Sequence, residues 1–136
     1  MVKKAWLLCV ILLLGAVFSG CGGGDVRYVN FGMGGSEVYT EEEIQEAMDL
    51  VLRHFSREYA GCTMTDLWYD EEYSLEQADD WAEQYEATEA IVLRSNFDVD
   101  GSGRSASLNP NDTYQDYNWI LVRDGGAWEL KTWGYA

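Results

Sequence analysis

Three observations predict an α+β domain in which helices pack on one face of an antiparallel sheet of about four strands. Two segments open with helix-capping signals, Thr40 with Glu43 and Ser74 with Gln77. Residues 89–99 alternate, with Ile91, Leu93, Ser95, Phe97 and Val99 on one side. Asp124-Gly125-Gly126 is a tight turn joining two aromatic-rich strands, 117–123 and 127–135.

Taken in order, the chain starts with a leader. Lys3 and Lys4 precede a 13-residue apolar run, Trp6 to Phe18, too short to span a bilayer. The run ends in Phe18-Ser19-Gly20-Cys21. Small residues directly before a cysteine resemble the lipobox of bacterial lipoproteins. That resemblance implies cleavage after residue 20 and a diacylglycerol on the sulfur of Cys21. It also implies a place on the extracytoplasmic face of the cell membrane. Two acyl chains make such an anchor nearly permanent, because each buried CH₂ contributes about 0.8 kcal/mol. Residues 22–38, rich in glycine, read as a flexible tether, and 39–136 as one domain.

Within the domain, Thr40 and Glu43 form a capping box, with Tyr39 and Ile44 placed as its hydrophobic staple. Ile44, Met48, Val51, Phe55 and Tyr59 recur at helical spacing as a core stripe, Asp49 and Arg53 are spaced to pair, and Gly61 ends the helix. Cys62 to Tyr69 reads as a strand. A second, shorter helix follows from Ser74, with Leu75, Ala78, Trp81, Ala82 and Tyr85 on its apolar side. The strand at 89–99 and the terminal hairpin complete a three-strand meander.

Charge narrows the function classes. The chain has 24 acidic and 9 basic residues, a formal net charge of −15. Loss of residues 1–20 removes Lys3 and Lys4 but no acid, which takes the charge to −17. Nucleic-acid binding through a basic patch is excluded, because phosphate contacts need Lys and Arg that are not there. His54 is the one histidine, so a His-rich zinc site is excluded too. With Cys9 in the leader and Cys21 lipidated, Cys62 has no partner for an intramolecular disulfide and reads as a small buried hydrophobe.

The segment Trp119-Ile120-Leu121-Val122-Arg123-Asp124-Gly125-Gly126-Ala127-Trp128-Glu129-Leu130 resembles the end of the nuclear-transport-factor-2-like, or cystatin-like, superfamily. That resemblance implies a long helix packed into a strongly curved sheet. Residues 40–135, through Leu67-Trp68-Tyr69-Asp70-Glu71-Glu72 and Trp119 to Arg123, also resemble a family of small lipoproteins of unknown function from Gram-positive gut bacteria. Fold and location follow from the likeness; an activity does not.

Candidate sites are few. Asp98, Asp100 and Ser102 match the first half of a calcium loop, where alternating oxygen ligands suit a hard cation. The closing glutamate is replaced by Asn109, so no metal is expected, and no cofactor. Trp68, Trp81, Trp119 and Trp133 are the candidates for an aromatic pocket, against the alternative that they simply fill the core. No catalytic pair can be named. The expected function is a non-catalytic envelope module for a cationic or apolar ligand. The alternative is a small-molecule enzyme, isomerase- or hydrolase-like, with a carboxylate in the cone of the fold. A buried, partnerless carboxylate would favour the enzyme and a filled apolar interior the module.

Overall fold

The computed structural model describes residues 23–135; the leader and Cys21 lie outside them. The described elements are β1 (Asn30–Gly32), α1 (Glu41–Glu58), β2 (Cys62–Trp68), α2 (Glu71–Gln84), β3 (Glu89–Val99), β4 (Thr113–Arg123) and β5 (Glu129–Gly134). The sheet has five strands in sequential order. β2 to β5 are antiparallel neighbours, and β1 runs parallel to β2. The class is α+β.

α1 forms as its sequence requires. Thr40 Oγ1 accepts from the Glu43 N–H at 3.1 Å, and Glu43 Oε1 accepts from the Thr40 N–H at 2.9 Å. Ile44, Met48, Val51, Phe55 and Tyr59 are all buried against Ile91, Leu93, Phe97, Trp119 and Leu121 of the sheet. Asp49 accepts from Gln45 Nε2 at 3.1 Å, one turn N-terminal to it, rather than pairing with Arg53. Arg123 ties the first turn of α1 to the sheet through Glu43 and Glu89.

Three expectations are corrected. The helices do not share a face. Ala78 and Ala82 of α2 pack on Ala90 and Val122, which point away from α1. Ala90 and Val92 are therefore as buried as Ile91 and Leu93, and the first half of β3 is covered on both sides.

The second helix starts at Glu71, not after Ser74, because Asp70 is itself a cap: its Oδ1 accepts from the Tyr73 N–H at 3.3 Å. Ser74 is fully buried within α2, and its hydroxyl accepts from the Val92 N–H at 3.0 Å. That amide needs a partner because the β2 ladder stops at Arg94. The Tyr39 hydroxyl serves the same gap, donating to the Ala90 carbonyl at 3.1 Å.

The glycine-rich segment is not a free tether. Asp25 bridges to Thr63, its N–H donating to the Cys62 carbonyl at 2.8 Å, and Asn30–Gly32 adds a fifth strand. A parallel neighbour requires a crossover, and α1 supplies it. Gly24 is buried against the last turns of α1, where a Cβ would meet Phe55 Cδ1 at 2.6 Å. The glycines there allow close approach rather than motion.

Bulges bend the sheet. Thr65 is unpaired between Met64 and Asp66, and Gln115 and Asp116 together face Asn96. Asp116 takes a φ of 58° there, with its N–H donating to Asn96 Oδ1 at 3.0 Å. Bulges of this kind raise local twist and re-aim side chains.

Candidate functional site: an aromatic cleft beside His54

The inward face of the sheet carries an aromatic array that α1 covers incompletely. Phe97, Tyr114, Tyr117, Trp119, Trp133 and Tyr135 project from β3, β4 and the end of the chain at β5. Phe55 and Tyr59 stack at 4.8 Å and plug the centre. Beyond that plug, between the last turns of α1, the loop at 104–108 and Trp133, lies a cleft of about 510 Å³. The cleft is half open to solvent.

His54 forms one wall. Its ring lies 4.2 Å from that of Trp133, centre to centre, and about 6 Å from those of Tyr59 and Trp119. Nε2 is buried and has no hydrogen-bond partner. Burial holds the imidazole below its ordinary pKa, so it is neutral at pH 7. Glu58 opposes that shift from the exposed rim. Arg104 stands at the opposite rim, its guanidinium held to Asp100 at 3.2 Å.

Proton transfer is poorly served here. Burial raises the phenols of Tyr59 and Tyr117, whose hydroxyls lie 3.1 Å apart. Burial also raises the Cys62 thiol, which sits 3.7 Å from Ser105 Oγ, while that hydroxyl donates to the Ala60 carbonyl at 2.6 Å. A thiol raised in this way is a weak nucleophile. His54 makes no hydrogen bond to a carboxylate or hydroxyl that would pair it for base catalysis. The cleft can hold an apolar or planar group against the His54–Trp133 pair.

The four tryptophans singled out do not line one pocket. Trp119 is fully buried and its Nε1 donates to Ser95 Oγ at 2.8 Å, so it is core beneath the cleft. Trp133 is 40% exposed and lines the cleft itself. Trp68 lies on β2 with Arg94 over its ring, and Trp81 lies on α2, stacked on Tyr85. Both belong to the other face, because alternation along β2 and the position of α2 turn them away from α1. On that face Arg94 also stacks on Tyr73 at 3.9 Å, and Arg94 Nε and Asn118 Oδ1 are buried without partners.

The calcium-like loop gives its carboxylates separate duties. Asp98 accepts from the Thr113 hydroxyl at 2.7 Å. Asp100 accepts from the Ser102 hydroxyl at 2.6 Å and from the Ser102 N–H at 3.0 Å. Those bonds and Arg104 hold the Asp100 carboxyl below its ordinary pKa. Among the described residues no three His, Cys, Asp or Glu side chains gather at one point.

His54, Tyr59 and the 104–108 loop become a site only through the fold. Alternation alone would turn Trp133 away from Leu130; it pairs with Trp119 and shares its face only because Lys131 is bulged out of the β4–β5 ladder. No protein-family profile, no curated protein and no solved structure matches the chain.

Proposed function

We propose that this chain is a bacterial envelope lipoprotein, held on the extracytoplasmic face of the cell membrane by a diacylglycerol on Cys21, with a domain that binds rather than catalyses. The leader and the Ser19-Gly20-Cys21 junction support the anchor. The observation that carries the binding role is the cleft in which half-exposed Trp133 faces His54, beside an interior that is otherwise filled. Among the described residues the buried polar side chains are Ser56, Ser74, Ser95 and Asn118, with no carboxylate. An enzyme working through a carboxylate base in the interior would need one there, desolvated and raised in pKa. We read the packing of α1 on the bent sheet as the cystatin-like element and α2 as an addition on the other face.

The ligand that fits the cleft is small and apolar or planar, stacking on Trp133 and His54. The test uses the Cys21→Ala chain, free of lipid, and the neutral fluorescent probe N-phenyl-1-naphthylamine. Binding is expected to raise probe emission, and Trp133→Ala is expected to remove most of the rise while leaving the far-ultraviolet circular dichroism unchanged. Probe emission that ignores Trp133 would reject the cleft as the site.

A further inference from the structure

We propose that the anchored domain does not hang from the membrane but lies against it, with the segment 25–31 as the contact and the aromatic rings of Tyr28 and Phe31 in the headgroup layer. The proposal rests on the Cys21 anchor and adds an orientation to it.

Chain length carries the argument. Gly23, the first of the described residues, is seated on the last turn of α1 so closely that a Cβ there would overlap the Ser56 carbonyl. The next residues are tied to β2, with the Met64 N–H donating to the Asp25 carbonyl at 2.9 Å. Only Gly22 separates Cys21 from this body. Two residue steps reach at most about 7 Å. The polar layer on one side of a bilayer is roughly 5–8 Å deep, the difference between its full and hydrocarbon thickness. Even with the cysteine side chain added, a sulfur at the hydrocarbon boundary therefore holds the body within a few ångströms of the headgroups.

The surface beside the anchor suits that position. Tyr28 is 77% exposed and Phe31 51% exposed, the former the most exposed large hydrophobic residue among those described. Arg27 lies over the Tyr28 ring at 5.5 Å and pairs with Asp25 at 2.9 Å. From Gly22 to Ser36 these are the only charges, so the strip is neutral in a domain of strongly negative charge. An anionic leaflet repels the rest of the surface and leaves this edge free to approach. Aromatic rings with a polar tip or neighbour settle at headgroup depth. Among the described residues no strand pairs with the outer side of β1. Unpaired amides of that kind limit the depth to the hydrated layer.

The experiment uses the full lipidated chain in phosphatidylcholine vesicles, some lipids carrying a nitroxide on the headgroup. An environment-sensitive fluorophore is placed on Tyr28→Cys, on Phe31→Cys, or on Gln84→Cys in the last turn of α2. Cys62 is 2% exposed and stays unlabelled. Emission at 28 and 31 is expected to fall about two-fold, as for a group at headgroup depth, while emission at 84 is unchanged. Equal quenching at all three positions, or none at 28 and 31, overturns the orientation. A mass spectrum of the same sample reports Cys21 separately. If that cysteine carries no lipid, the anchor itself fails and the orientation with it.

Discussion

Gly24→Ala separates packing from tethering by the sign of its effect. In a flexible tether the substitution would be neutral, or would stabilise by about 0.4–1 kcal/mol through the unfolded chain. In the folded segment the new methyl must fit where Phe55 Cδ1 stands 2.6 Å and Cε1 2.8 Å from the ideal Cβ. The Phe55 backbone oxygen crowds the same point. Neither neighbour moves easily. Phe55 is fully buried, stacked on Tyr59 and edge-on to Phe97 at 5.4 Å, and its carbonyl accepts from the Tyr59 N–H. Forcing an extra methyl into such packing costs about 1–3 kcal/mol. For a domain of this size that lowers the melting temperature by roughly 4–15 °C. Gly35→Ala is the control, since nothing lies within 4 Å of its Cβ position. Both variants and the parent would be melted side by side by circular dichroism. A Gly24→Ala protein that melts at or above the parent would refute the docked segment and restore the tether.

Two further outcomes follow from the titratable groups. The Glu43 carboxyl is held below its ordinary pKa by the Thr40 N–H and then by Arg123. A depressed carboxylate contributes stability that is present above its unfolded pKa, near 4.3, and is lost as pH falls through the folded value. Urea melts from pH 6 down to 3 should therefore show stability falling below about pH 4.3, and Glu43→Gln should flatten that fall; an unchanged slope in the variant would remove the assignment. His54, neutral through burial, should titrate by NMR with a midpoint below about 6.5. Trp133→Ala, which opens its wall to water, should raise that midpoint, and a native midpoint at or above 6.5 would contradict the buried ring.

Local structure was legible in the sequence because its causes are local. The Thr40–Glu43 box, the stripe from Ile44 to Tyr59, the alternation ending at Val99 and the Asp124-Gly125-Gly126 turn each depend on neighbours within a few residues. The second buried face of β3 was also written there, in the unbroken apolar runs Ala90-Ile91-Val92-Leu93 and Trp119-Ile120-Leu121-Val122. Such runs mark strands covered on both sides.

Only the tertiary structure could decide the rest. A glycine has no side chain to say whether it is loose or tightly packed, so the docking of Gly23 and Gly24 depends on Ser56 and Phe55 arriving from α1. Asn30-Phe31-Gly32 lacks a strand pattern and becomes β1 because β2 offers an open edge. Ser74 reads as a cap until an unpaired amide at Val92 claims its hydroxyl. The cleft joins His54, the loop at 104–108 and Trp133, residues remote in the chain. Which side chains meet there is set by strand register and by the angle at which α1 crosses the bent sheet, neither of which is a property of any one segment.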